Sequence, residues 1–139
     1  MELLFERVYT IEEWDEGPRS GVASFAGAPH FFRSVGESRD RFELTPLPPE
    51  LFELILEADA LFHRWQSGPL TPGITLSDGQ AAERDEARRR YDELRSDIAA
   101  RMAPLVPVAV MRGDFDFDPD RVRWIPVDGV RRSRGPSRN

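Results

Sequence analysis

The stretch that decides the fold is GVASFAGAPHFFRSVGESRDRFELT, residues 21–45. It contains three short β-rich runs, at residues 21–25, 30–35 and 41–45, separated by segments of small, proline and polar residues. Apolar and aromatic runs separated in this way are typical of hairpins. Because short turns join strands that lie side by side, the pattern predicts an antiparallel meander.

One more strand is predicted upstream of this stretch. Residues 3–14 contain a β-rich run centred on Val8–Ile11, and Gly17 and Pro18 mark the loop that follows it. The chain is therefore expected to begin with four consecutive strands.

A first helix is predicted to follow Pro48 and Pro49 and to end at Gln66. Proline cannot donate to a sheet ladder but is tolerated in the first turn of a helix. Apolar residues at helical spacing form one stripe, which predicts a buried face. These residues are Leu51, Leu54, Ile55, Ala58, Leu61, Phe62 and Trp65.

A second helix is predicted to begin at Ser77 and to end at about Ala103. Ser77 and Gln80 have the spacing of a capping box, and Pro104 prevents the helix from continuing. Its first half is almost wholly charged, and its apolar positions are concentrated in its last four turns.

The chain then returns to β structure around the string DFDFDPD, residues 114–120. Alternating aspartates suggest a calcium loop, but an EF-hand requires glycine at its sixth position and glutamate at its twelfth. Counting from Asp114, these positions hold Pro119 and Ile125. The string is therefore interpreted as a hairpin, with no metal site.

In the predicted hairpin, Pro119 and Asp120 form the loop. Opposite charges would then meet on one face and apolar residues on the other, which stabilises cross-strand pairing. The predicted pairs are Asp118 with Arg121, Asp116 with Arg123, Phe117 with Val122, and Phe115 with Trp124.

These elements predict an α+β fold. Its centre would be a single antiparallel sheet of about six strands, in the order ββββ-αα-ββ, with both helices packed on one face. Residues 1–128 would form a single domain. Residues 129–139, which are rich in arginine and lack acids, would form a disordered tail.

Composition excludes several classes of protein. The chain has no cysteine, which excludes disulfide scaffolds and thiol catalysis, and no run is long and apolar enough for a membrane helix. All 19 basic residues are arginines, and lysine is absent, which is typical of a high-GC bacterial genome. A cytoplasmic location is predicted.

Charge argues against DNA as a partner of the folded body. The net charge is −6, and without the four tail arginines it would be −10. Such a body repels phosphate backbones. An RNA contact through the arginine tail remains as a weak alternative.

The two histidines, His30 and His63, are the only side chains that titrate near neutral pH without help. They lie in unrelated elements, and a metal site needs at least a third ligand. No cofactor is predicted, and no catalytic residue is assigned. A ligand cleft at His30 is kept as an alternative.

A candidate interaction surface lies on the back of the first helix. Phe52 and Leu56 are one turn apart, away from the buried stripe, and His63 is nearby. Either the second helix or the proline loop covers these residues, or they form an exposed apolar spot, which is typical of a binding surface.

The sequence thus favours a non-catalytic protein-interaction module, such as an adaptor, an immunity-type inhibitor or a regulator. Its partner would be another protein or a second copy of the chain. The first alternative is a small enzyme or ligand-binding domain with a histidine and carboxylates in a cleft. The second is an RNA-associated protein that uses its tail.

Overall fold

The computed structural model describes residues 4–37, 39–66, 77–117 and 120–127, without the side chains of residues 65 and 66. The chain forms two compact units: a β unit of residues 1–47 and 105–139, and a helical unit of residues 48–104. The elements are β1 (Glu6–Trp14), β2 (Pro18–Phe25), β3 (Ala28–Ser34), β4 (Arg41–Pro46), α1 (Pro49–Gln66), α2 (Asp78–Met102), β5 (Ala109–Phe117) and β6 (Asp120–Pro126).

The six strands form a closed antiparallel barrel in the order β1-β2-β3-β4-β5-β6. β1 closes the barrel on β6, with Glu6 opposite Val122 and Arg7 opposite Arg121. The prediction of an open sheet with both helices packed on one face is therefore wrong. Alternation of apolar and polar residues indicates that one side of each strand is covered. It does not indicate whether helices or the sheet itself provide the cover.

Irregular pairing in β1 favours closure. Its register against β2 shifts between Val8 and Thr10, between Ile11 and Glu13, and again before Trp14. Bulges of this kind bend a strand and increase its twist, which a sheet needs in order to close on itself.

The barrel interior is filled by an aromatic cluster. Four rings, those of Phe32, Phe42, Phe115 and Trp124, come from β3, β4, β5 and β6. The centroids of every pair among them lie within 6.0 Å, mostly in tilted or edge-to-face geometry. Val8 and Ala23 add contacts from β1 and β2. Since all six strands contribute, this cluster is the barrel core.

Two glycines make room for these rings. A Cβ on Gly21 would lie 2.2 Å from the carbonyl oxygen of Thr10 and 2.9 Å from the Phe32 ring. A Cβ on Gly113 would lie 2.8 Å from the Phe115 ring and 2.9 Å from the Trp124 ring. Glycine at both positions therefore allows the backbone to approach the aromatic cluster closely.

The β2–β3 hairpin has a two-residue turn, Ala26–Gly27, with φ of 55° and 82°. A carboxylate from β1 holds this turn: Glu6 accepts hydrogen bonds from the main-chain N–H groups of Ala26 (3.1 Å) and Gly27 (3.0 Å). It also accepts one from the hydroxyl of Ser24, at 2.9 Å. The first strand is thus tied to a turn about 20 residues later in the chain.

The closing hairpin is confirmed, but the predicted register is wrong by two residues. Asp116 pairs with Arg121 and Asp114 with Arg123, and the ion-pair distances are 2.8 and 2.7 Å. A shift of two residues keeps every side chain on its predicted face. Its physical reason is that Trp124 lies opposite Gly113, where its ring has space.

The helical unit keeps much of the predicted pattern. Leu51, Ile55 and Ala58 are buried, while Leu54, Leu61 and Phe62 are half-buried. The predicted capping box is confirmed: Gln80 N–H donates to the Ser77 hydroxyl (3.2 Å), and Ser77 N–H donates to the Gln80 side chain (3.0 Å). α1 and α2 contact each other through the rings of Phe62 and Tyr91, 5.6 Å apart.

Some predictions fall outside the described residues. They are Asp118 in the hairpin, the tail of residues 129–139, and the side chain of Trp65 in the buried stripe. In the described part of the chain, neither helix has the length and apolar character required to cross a bilayer.

Gly21→Ala is expected to destabilise the protein by about 1–3 kcal/mol, because the added methyl group overlaps main-chain and ring atoms in a packed core. Gly79→Ala is the matched control, since a Cβ at this position in the first turn of α2 meets nothing within 4 Å. It should be neutral or raise stability by up to about 1 kcal/mol. Urea unfolding measures both, and equal effects of the two substitutions would contradict the close approach at Gly21.

Candidate functional site

Side chains fill the barrel interior, so the ends of the barrel are the accessible places for a site. Consecutive antiparallel strands place alternate turns at the same end. The β1–β2 and β3–β4 turns therefore lie at the same end of the barrel as Phe117, the last residue of β5. Rigid strands that carry short turns are a common support for binding residues.

A groove of about 550 Å³ lies at this end. We call it the Trp14 groove, after the largest side chain that lines it. It runs along the turns between β1 and β2 and between β3 and β4. The lining residues are Glu13, Trp14, Asp15, Arg19, Ser34, Gly36 and Glu37.

An exposed aromatic pair marks this end of the barrel. Trp14 is 61% exposed and Phe117 is 39% exposed. Their ring centroids are 5.6 Å apart, with the planes tilted by 60°. Large aromatic side chains seldom stay this accessible in a soluble protein, and adjacent ones are typical of binding surfaces.

The β1–β2 turn holds one wall of the groove in a strained conformation. Glu16 has a φ of 57°, in the left-handed region that non-glycine residues rarely occupy. The Asp15 N–H donates to the Gly17 carbonyl (2.9 Å), and the Nε–H of Arg19 donates to the Asp15 carbonyl (3.1 Å). Arg39 of the β3–β4 turn pairs with Glu16 at 3.4 Å, which links the two turns.

The β3–β4 turn is anchored on both sides. The Val35 N–H donates to the Arg41 carbonyl at 3.0 Å, closing the turn. The Gly113 N–H donates to the Asp40 carbonyl at 2.8 Å, and Arg112 pairs with the Asp40 carboxylate at 3.5 Å. The second wall is thus attached to β5 as well as to its own strands.

The groove is acidic. Three carboxylates, those of Glu13, Asp15 and Glu37, line it together with the single guanidinium of Arg19. The Ser20 hydroxyl donates to Glu13 at 3.0 Å and orients that carboxylate. The site therefore combines an exposed indole with an excess of negative charge.

The predicted ligand residue His30 is a buried residue of β3. Its Nδ1 lies 2.8 Å from the main-chain carbonyl of Ala28, and its ring packs edge-on against Phe25, with centroids 5.1 Å apart. These contacts account for its orientation within the barrel. They give the predicted cleft at His30 no support.

His63 belongs to the other compact unit and is exposed on α1. Its Nε2 lies 3.4 Å from Asp59, one helical turn earlier. Partial burial raises the pKa of the Asp59 carboxyl above its ordinary value of 3.8, while the neighbouring His63 acts in the opposite direction. This is a local helical pair, and His30 and His63 belong to different compact units.

Phe52 and Leu56, the predicted interaction surface on α1, are both half-buried. Neither is among the strongly exposed large apolar side chains, which include Trp14, Val106 and Val108. Their role in an interface remains a prediction, and the barrel end presents the more accessible aromatic surface.

Two aspartates of the closing hairpin, Asp114 and Asp116, pair with Arg123 and Arg121, in the corrected register given above. Within residues 4–37, 39–66, 77–117 and 120–127, no three acidic or histidine side chains come together as a metal site would require. Asp118 lies outside these residues.

Sequence reasoning missed Trp14 and Phe117. Trp14 directly precedes the turn segment Asp15–Pro18, and an aromatic residue beside turn residues was the available signal. Phe117 was predicted to pair with Val122 on the apolar face. The observed register instead places Phe117 opposite Asp120, at the open end of the barrel.

Comparisons of the chain with protein-family models, with curated proteins and with solved structures give no match.

Replacing Trp14 by serine should change stability by only about 1 kcal/mol, because its ring is exposed and contacts the partly exposed ring of Phe117. Trp124→Ala should cost about 3–5 kcal/mol, since the indole at that position belongs to the buried cluster. Chemical unfolding of the two variants measures the contrast. A large loss with Trp14→Ser would show that Trp14 supports the fold and is not available for binding.

Proposed function

We propose that this chain is a non-catalytic protein-interaction module that binds its partner at the Trp14 groove. The observation that carries the proposal is the exposed pair Trp14 and Phe117 at the ends of two strands of a filled barrel. A filled interior leaves the outer surface as the place for recognition. Aromatic side chains are the residues most enriched at the centres of protein interfaces.

The framework around the pair suits this role. Hydrogen bonds close the turns that form the groove walls, and an ion pair between Arg39 and Glu16 joins the two turns. A preorganised surface loses less conformational entropy on binding. An adaptor, an immunity-type inhibitor or a regulator would each use such a surface, and a cytoplasmic location remains a prediction.

The structure offers less support for the enzyme alternative than for the interaction module. His63 does contact a carboxylate, Asp59, but both belong to one helix and His63 is exposed. His30 is buried and contacts a main-chain carbonyl. The RNA alternative depends on the tail, which lies outside the described residues, so the geometry adds no argument for it.

Affinity capture with a matched pair of double variants tests the proposed surface. Trp14→Ser with Phe117→Ser removes the aromatic pair. Val106→Ser with Val108→Ser removes two other apolar side chains of the β unit, which are 69% and 60% exposed. We expect a protein captured by the wild-type chain from its host lysate to be lost with the first variant and retained with the second.

Two controls accompany the capture. Thermal melts must show that both double variants remain folded, and sedimentation shows whether the captured partner is a second copy of the chain. Equal capture by the wild type and the aromatic variant would contradict the proposal. If capture is lost only with the double variant Phe52→Ser and Leu56→Ser, the interface lies on α1 and not at the Trp14 groove.

A further inference from the structure

The chemistry of the Trp14 groove indicates which part of a partner it would recognise. This inference rests on the proposed function, because it concerns the same surface. Its starting point is charge: the carboxylates of Glu13, Asp15 and Glu37 outnumber the guanidinium of Arg19. The negative net charge of −6 has the same sign and would attract a basic segment from a distance.

The second feature of the groove is the ring of Trp14. Indole binds cations on its face more strongly than other aromatic side chains do. The face of Trp14 is accessible, since the residue is 61% exposed and its neighbour Phe117 is tilted by 60°. Within the described ranges, no guanidinium of the chain is found over this ring. An exposed indole beside carboxylates thus offers both contacts that a guanidinium makes.

A complete arrangement of an aromatic ring, a guanidinium and a carboxylate is already present elsewhere in the same protein. On the outer face of β6, the guanidinium of Arg121 lies over the ring of Phe5 at 4.1 Å and pairs with Asp116 at 2.8 Å. Aromatic ring, guanidinium and carboxylate are all present at that position. The Trp14 groove presents the ring and the carboxylates, and a partner would supply the guanidinium.

We propose that the Trp14 groove binds an arginine-containing segment of the partner protein, with the guanidinium stacked on Trp14 and paired with the groove carboxylates. Arginine fits better than lysine because its planar guanidinium both stacks on a ring and donates in a fork to carboxylates.

The test uses the ¹⁵N-labelled full chain and the peptide acetyl-Gly-Arg-Gly-Arg-Gly-amide. The indole N–H signal of Trp14 is assigned with Trp14→Phe, and the signal of the buried Trp124 serves as an internal reference. The matched control peptide carries citrulline in place of arginine, which keeps the shape and removes the charge. We expect a saturable shift of the Trp14 signal with the arginine peptide and a much weaker response to the citrulline peptide.

Variants then separate the groove from general charge attraction. Asp15→Asn and Glu37→Gln should each weaken peptide binding about two- to fivefold, as should Trp14→Leu, which keeps an apolar side chain but removes the ring. Because Trp14→Leu has no indole signal, its affinity is measured from the backbone amide signals of the groove residues. Glu83→Gln makes the same charge change on exposed α2 and should leave the affinity unchanged. Equal binding of the citrulline peptide, an equal effect of Glu83→Gln, or the lack of a saturable shift would each overturn the proposal.

A chain that ends at residue 130 completes the experiment. If only this shortened chain binds the peptide, the arginines of the chain's own tail occupy the groove, and the assignment to a partner is wrong. If the peptide does not bind while capture still depends on Trp14 and Phe117, the assignment of arginine as the ligand is wrong. The proposed interaction surface is then still supported. If the peptide binds while capture does not depend on these residues, the proposed function fails.

Discussion

The mutual packing of four aromatic rings is the constraint on which the β unit depends. Phe32, Phe42, Phe115 and Trp124 come from four strands, so they meet only when the sheet curves around them. Aromatic pairs of this geometry add stability beyond the area they bury. The same rings leave no room for a side chain at positions 21 and 113, and both positions are occupied by glycine.

The filled interior also determines where recognition can occur. Larger barrels enclose a ligand cavity, whereas small ones are filled by their own side chains. Two sets of aromatic residues in the β unit differ in exposure. The four rings of the cluster are packed inside the barrel, while Trp14 and Phe117 at the strand ends are exposed. In the proposed function, stability and binding therefore depend on different aromatic residues of the same β unit.

Local sequence patterns predicted the local structure. Barrel closure, the hairpin register and the groove depend on contacts that these patterns do not reveal. The capping box at Ser77 and the closing hairpin follow from residues close together in sequence. Barrel closure depends on pairing between Glu6 and Val122 and on bulges in β1, which alternation alone does not reveal. The hairpin register depends on Gly113, because a side chain at this position would overlap the Trp124 ring. This contact is not visible in the sequence pattern. The Trp14 groove was missed for the same reason, since its walls come from two separate turns.

The hydrogen bond from the Trp124 indole to the Ser24 carbonyl, 2.9 Å long, joins residues 100 positions apart in the chain. Contacts of this span form late, because the entropy of closing a long loop must be overcome first. The β1–β4 meander and the β5–β6 hairpin each need only neighbouring residues. We therefore expect folding in which these two parts form early and their joining limits the rate. A partly folded form in which β5 and β6 have not docked would leave the edges of β1 and β4 open to pairing with other chains, which favours aggregation.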